Sequence, residues 1–167
     1  MAGGGVSLSV SSADLGSVGK RIAKIASATA HARPLMNAIG AALESSTRKR
    51  FRTQQSPEGA TWRPSIRARL KGGTTLIAHG HLRDSITHDA DGNHAEVGSN
   101  LIYAAIHQLG GVIRAKGGGM LRFRIPGVGW RQVAQVTIPA RPYLGVSEED
   151  REEMGAQAER YLEKAAA

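Results

Sequence analysis

The apolar periodicity of this chain changes twice, and that change restricts the fold more than any single motif. From Asp14 onward Val18, Ile22, Ile25 and Thr29 recur at three- and four-residue spacing, and Leu35, Ile39, Ala42 and Leu43 continue the pattern toward Phe51. Such spacing lines one face of an α-helix. Pro34 divides the two stripes, because the residue before a proline avoids helix while proline fits a first helical position. From Ser85 the spacing becomes two. Segments 85–90 and 93–97 flank Asp91-Gly92, a strong signal for a two-residue hairpin turn. Val112–Lys116 is a further strand, Leu121, Phe123 and Ile125 alternate with Arg122 and Arg124, and a last strand runs from Trp130 to Ile138.

Between these strands, Asn100 is placed to cap a helix over 101–109 with Ile102, Ala105, Ile106 and Leu109 inward, stopped by Gly110-Gly111. Gly117–Gly119 reads as a flexible hairpin tip. Helical spacing returns in Met154, Ala158, Tyr161, Leu162 and Ala165, and Ser147 with Asp150 three positions on resembles a capping box. The pattern predicts an α+β fold: N-terminal helices, a small, mostly antiparallel sheet of about five strands with one inserted helix, and a C-terminal helix. It divides into an arm at 1–12 and one domain at 13–167. Within the domain, 13–55 is helical, 56–81 a basic loop region, 82–138 the sheet with its helix, and 147–164 the closing helix.

A length of 167 residues suits a single domain. Aromatic residues make up only 4%, which predicts a core of Ala, Val, Ile and Leu. The absence of cysteine excludes disulfides, thiolate metal sites and a cysteine nucleophile. The longest apolar stretch, Leu101–Ile106, is far short of the ~20 residues of a membrane span. Met1–Val10 has neither the basic start nor the apolar centre of a signal peptide, so no membrane partner is expected.

Enzymatic chemistry finds no footing. Gly-x-Ser-x-Gly is absent, and the glycine clusters lack the Lys-Ser or Lys-Thr ending of a phosphate loop. His79, His81, His88 and His94 have no helical spacing or convergent carboxylates of the kind metal ligands show. Catalytic residues, cofactor and metal are all read as none.

Charge is the informative feature. The net charge is +8, from 22 Lys and Arg against 14 Asp and Glu. Eight bases lie between Arg48 and Lys71 against the single acid Glu58, and six lie between Val97 and Ser147 against none. Segment 147–164 reverses the sign, with seven acids against three bases, so a +12 body carries a −4 terminal element. Such polarity suits head-to-tail docking of copies, or attraction of polyanions. Nonspecific nucleic-acid binding is the alternative reading; phosphate contact through Arg48, Lys49, Arg50, Arg52, Lys116, Arg122 and Arg124 is as much as it requires, since no helix-turn-helix or finger motif is present.

Four segments in order resemble the phage virion morphogenesis family, which includes tail-completion proteins of contractile-tailed phages and G proteins of Mu-like prophages. They are Phe51 with Ser56–Trp62, Gly80–Ile86, Val97–Asn100 with Tyr103–Gly111, and Ile138–Gly145. The resemblance spans Leu35–Leu162; Met1–Gly16 has no counterpart. It implies a structural protein of the virion neck or tail, present in the host cytoplasm during assembly. By similarity to related neck proteins it implies a ring of copies, a hexamer, around the DNA channel, contacting neighbouring neck or tail proteins. A stopper or terminator ring is the alternative within the same class. Candidate assembly residues are Trp62, Arg141, Tyr143, Leu144, Glu148, Glu149, Glu152 and Glu153. The basic set named above is the candidate channel-facing surface.

Overall fold

The computed structural model describes residues 12–125 and 127–167. The expected arm at 1–12 lies outside the described residues, Ser12 excepted. Two long helices lead, α1 (Ser12–Ala30) and α2 (Arg33–Thr53), followed by the short helices α3 (Ile66–Lys71) and α4 (His81–Asp84). The hairpin β1 (Ile86–Ala90) and β2 (Ala95–Ser99) precedes α5 (Ala104–Leu109). Strands β3 (Gly111–Arg114), β4 (Leu121–Ile125), β5 (Gly129–Val133) and β6 (Gln135–Ile138) come next, and α6 (Glu148–Ala166) closes the chain. The class is α+β with antiparallel strands, helices first and last, and one helix inserted. The strands form three two-stranded ladders, β1 with β2, β3 with β6 and β4 with β5. The run expected from Trp130 to Ile138 bends at Ala134 and so contributes two strands. Among the described residues no helix is long and apolar enough to cross a membrane.

Helix α2 is the axis on which the body is built. Thr47, Arg50 and Phe51 share its buried face at three- and four-residue spacing. The β1–β2 hairpin lies across it, and Gly40 permits the close approach: a Cβ there would sit 2.8 Å from the His88 ring. The hairpin is tied down at two points. The Arg48 guanidinium donates to the Ile86 carbonyl at 2.7 Å, and the His88 imidazole meets Glu44 at 2.6 Å. Its register, with Ala90 opposite Ala95, centres the turn on Gly92-Asn93, one residue later than the sequence suggests. Asp91 is responsible, because its carboxylate accepts the backbone N–H groups of Asn93 and His94 and stabilises the turn from its first corner.

The centre of the core is aromatic, against the expectation from composition. Phe51 packs edge-on to Trp62 with centroids 5.6 Å apart and meets Tyr143 at 5.1 Å. Leu82, Ile86 and Ala104 complete the buried cluster, with Leu76, Ile77, Val97, Leu101 and Leu144 around it. A few large rings fill the junction of a helix and several irregular segments better than many small aliphatics, since each ring buries about 150–250 Å².

Three other expectations are corrected. Helix α5 starts at Ala104 and turns Ala104 and Gln108 inward, leaving Ile102, Ala105 and Leu109 exposed. The inward turn follows from two bonds, the Tyr143 hydroxyl donating to the Ala104 carbonyl and the Gln108 amide binding segment 143–144. In α1 the stripe does not reach a core: Val18 and Ile22 are exposed, and only Ile25 is half-buried. The helix touches the body near its C-terminal end, where the Tyr161 hydroxyl of α6 lies 3.1 and 3.0 Å from the carbonyl oxygens of Ala28 and His31. Finally, Gly117–Gly119 is not a hairpin tip. A 3-10 turn at Lys116–Gly118 interrupts one side of a single long ribbon, in which β3 with β6 forms the base and β4 with β5 the outer half. The Ala115 N–H to Ala134 carbonyl bond joins the two halves, and the tip is the turn where Val128 N–H donates to Ile125.

Candidate assembly surface

Segment 139–145 pairs with no strand, as its two prolines require, yet it is the most heavily bonded stretch of the body. The Arg141 N–H donates to the His107 carbonyl and its Nε to the Arg63 carbonyl, both at 2.8 Å. The Trp62 indole donates to the Pro142 carbonyl at 2.9 Å. The Gln108 amide oxygen accepts from Tyr143 and Leu144 N–H, while its nitrogen donates to the Leu144 carbonyl. Arg50 donates to the carbonyls of Tyr143 and Gly145, each at 2.9 Å. Side chains thus replace the partner strand and satisfy the strap's backbone. Gly145 closes it at φ 149°, where a Cβ would stand 2.7 Å from the Pro57 ring.

This assigns four expected interface residues to the interior. Trp62, Arg141 and Tyr143 are buried and Leu144 is half-buried against the core. Their burial leaves these side chains little surface to offer a partner. The motif residues behind the family resemblance are the ones that lock the strap.

The acidic candidates behave differently. Glu148, Glu149, Glu152 and Glu153 are all exposed on the first turns of α6. Glu148 pairs with Arg151, Glu149 with Lys49 of α2 at 2.8 Å, and Glu153 with Arg160. Glu152 has no ionic partner among the described residues. Exposed pairs of this kind contribute about 0–1 kcal/mol each. What fixes α6 is the buried pair of Asp150 with Arg50, together with the capping box that Ser147 and Asp150 complete. Burial opposes ionisation of Asp150, but hydrogen bonds from Ser46 and Ser147 and the Arg50 charge outweigh it and hold its pKa below the ordinary carboxylate value. Between α2 and α6 runs a groove of about 580 Å³, lined by the apolar Ala42, Leu43, Met154 and Ala156, by Glu149, Asp150, Glu152 and Glu153 of α6 and by Lys49 and Arg52 of α2.

The basic set divides in two. Arg50 is buried and paired, Lys49 is held by Glu149, and Arg48 is shared between Glu44 at 2.9 Å and the Ile86 carbonyl. Arg50 therefore leaves the channel-facing set. Arg52, Lys116, Arg122 and Arg124 are exposed with no carboxylate partner among the described residues. The last three lie on the ribbon. Cross-strand register puts Arg122 and Arg124 on one face with Gln132 and Trp130, and the Arg122 guanidinium sits 4.9 Å from the Trp130 ring centroid. The opposite face carries Leu121, Phe123, Ile125 and Val133. With Ile113, Val136 and Ile138 from the base, this face encloses a shallow cleft of about 390 Å³ lined by ribbon residues alone. The alternation at 121–125 foretold the two faces. Trp130 as the stacking partner was missed, because its position opposite Arg124 depends on the register.

No three His, Asp or Glu residues converge as a metal set among the described residues. His88 serves Glu44, and His94 lies beside Asp91. His107, half-buried behind the strap, is pushed below the ordinary imidazole value first by burial and then by the Arg141 charge.

These features define a class of protein: a small α+β body locked by its own motif residues, with a charged outer helix and a projecting amphipathic ribbon. The chain belongs to the phage virion morphogenesis family, whose model matches residues 13–163. It is 35% identical to the Mu-like prophage FluMu G protein 2 of Haemophilus influenzae, covering 76% of this chain and 75% of that one. It is 33% identical to protein G of Escherichia phage Mu, whose name assigns it to capsid assembly, over 73% of this chain and 74% of that one. No solved structure matches the chain significantly. The family match begins at residue 13 and so takes in α1, which the resemblance in the sequence did not reach. The family places this protein in the building of phage virions, in association with other virion proteins.

Proposed function

We propose that this protein is a non-enzymatic structural component of the head–tail junction, assembling as a hexameric ring around the DNA channel to complete or join the tail. The observation that carries the reading is the presence on one chain of two unlike, outward surfaces: the α2–α6 groove, with the exposed acids of α6 along one side, and the basic, amphipathic ribbon. Unlike surfaces on one protomer generate head-to-tail contacts, which form a ring when the rotation between successive copies closes. Opposite charge on the two sets their register. Arg122, Arg124 and Lys116 on the ribbon, with no carboxylate partner among the described residues, face the DNA that passes through; Arg52 of α2 is the remaining member of the basic set with none. Neighbouring neck or tail proteins stack on the ring, and the protein resides in the virion after assembly in the host cytoplasm. Electron microscopy of purified virions tests this directly: density for the chain as a closed ring between head and tail is expected, and its absence from finished particles contradicts the placement. A stopper or terminator ring differs only in level, which the same images separate.

Nonspecific nucleic-acid binding is the second reading, favoured by the cation stacked on Trp130 beside Arg124. It predicts DNA affinity that falls steeply with salt, with a slope that Arg122→Gln and Arg124→Gln flatten. No retention of DNA at low salt would dispose of it.

A further inference from the structure

The ribbon has an apolar face that the described residues leave uncovered. Its four strands make their broad contacts with one another only. Ile113 on this face is exposed, and among the described residues the cleft around Phe123 is bounded by none from outside the ribbon. A two-stranded ribbon is at best marginally stable in water and needs its apolar face packed on something. The same face carries a single cation, Arg131, directly opposite Phe123. From Gly111 to Ile138 there are five bases and no acid.

The α2–α6 groove supplies the complement. Its apolar lining of Ala42, Leu43, Met154 and Ala156 is small, and Glu152 beside it has no ionic partner among the described residues. The ribbon holds cations without acids, and the α6 side of the groove holds Glu149, Glu152 and Glu153, while Lys49, paired with Glu149, and Arg52 stand on the α2 side. We infer that the apolar face of the ribbon of one copy seats in the α2–α6 groove of a second copy, with Arg131 of the first paired to Glu152 of the second. The inference rests on the assembly reading only in taking the partner to be another copy of this chain. Since groove and ribbon are different surfaces, each copy donates one ribbon and accepts one, and the polar face with Arg122, Trp130 and Arg124 stays free for DNA.

Light scattering of the full chain tests it. The wild type is expected to be oligomeric, and Phe123→Asp is expected to yield a folded monomer at the same concentration, because Phe123 lies outside the buried core. Ala156→Trp, which fills the groove from the other side, is expected to do the same. Arg131→Glu is expected to weaken association about tenfold or more, and Glu152→Arg in the same chain to restore it. The chain contains no cysteine, so Arg131→Cys and Glu152→Cys proteins, mixed and oxidised, are expected to crosslink to each other. A crosslink formed instead between Arg131→Cys and Ile22→Cys, which makes α1 the cover, overturns the assignment. An oligomer indifferent to all these substitutions overturns the docking and leaves the ring standing. A strict monomer, alone and with assembled tails, sinks both.

Discussion

Two arginines, Arg50 and Arg122, show how the body and the ribbon differ. Arg50 is buried, donates to the Tyr143 and Gly145 carbonyls of the strap and pairs with Asp150. Arg122 lies over Trp130 in the open, with no carboxylate near it. The first arginine uses both terminal nitrogens within the chain; the second has its donors available to something outside it. The chain thus separates its self-sufficient polar network from its unsatisfied surfaces. In the body, charge serves folding. On the ribbon and the outer side of α6 it lies at the surface, where the proposed association would use it.

The largest test of that contrast is at the buried pair. Asp150→Ala leaves the Arg50 guanidinium buried without its anion and removes the α6 cap, and a loss of about 3–5 kcal/mol is expected in a denaturant titration. Arg122→Ala is expected to change stability by no more than about 0.5 kcal/mol. Equal effects from the two would erase the distinction.

Tyr143→Ala removes a fully buried ring and its bond to Ala104, and about 3–5 kcal/mol is expected from the cavity. Trp130→Ala, on the exposed face of the ribbon, is expected to leave the melting temperature nearly unchanged while reducing DNA retention at low salt.

Smaller effects follow at the strap. Gly145→Ala places a Cβ against Pro57 at a backbone angle that suits glycine, and about 1–3 kcal/mol is expected from thermal melts. Trp62→Phe keeps the ring packing and leaves the Pro142 carbonyl unpaired, for a loss of about 1–3 kcal/mol.

The smallest effect is the pH dependence, which belongs to the body alone. His107 binds its proton less readily folded than unfolded, so stability begins to fall as pH drops below the ordinary value of 6.5. Glu44 is held below its ordinary 4.5 chiefly by the hydrogen bond from His88, and Asp150 below 3.8, so their protonation adds further losses at lower pH. All three act in the same direction. Melting curves from pH 7 to 3 are expected to decline throughout, and His107→Gln to remove the first part of the decline; stability rising between pH 6.5 and 5 would contradict the assignment.

Local pattern made most of the elements legible. The two N-terminal helices, the β1–β2 hairpin, the alternation at 121–125 and the start of α6 at Ser147 all follow from spacing and capping chemistry that act within a few residues. The interior role of the strap was not legible, because Pro139-Ala140-Arg141-Pro142 reads only as an unpaired connector until Trp62, Arg50 and Gln108 are brought to it. The Gly117–Gly119 reading failed for a related reason: a glycine run marks where the chain bends, and only the register shows which strands the bend separates. Composition misled on the core, since a low overall share of aromatics says nothing about where the few are placed.

The sequence by itself determined the order of helices and strands, the two faces of the ribbon and the division of charge between a basic body and an acidic last helix. These depend on periods of two and 3.6 residues and on counts along the chain. Only the tertiary structure decided which charges are used internally. Arg50 and Arg52 stand two residues apart on one helix and so point to opposite sides; the partner that buries the first, Asp150, arrives 100 residues later. Contact over that separation is set by packing, and packing turns one arginine into part of the fold and leaves its neighbour for whatever the protein meets.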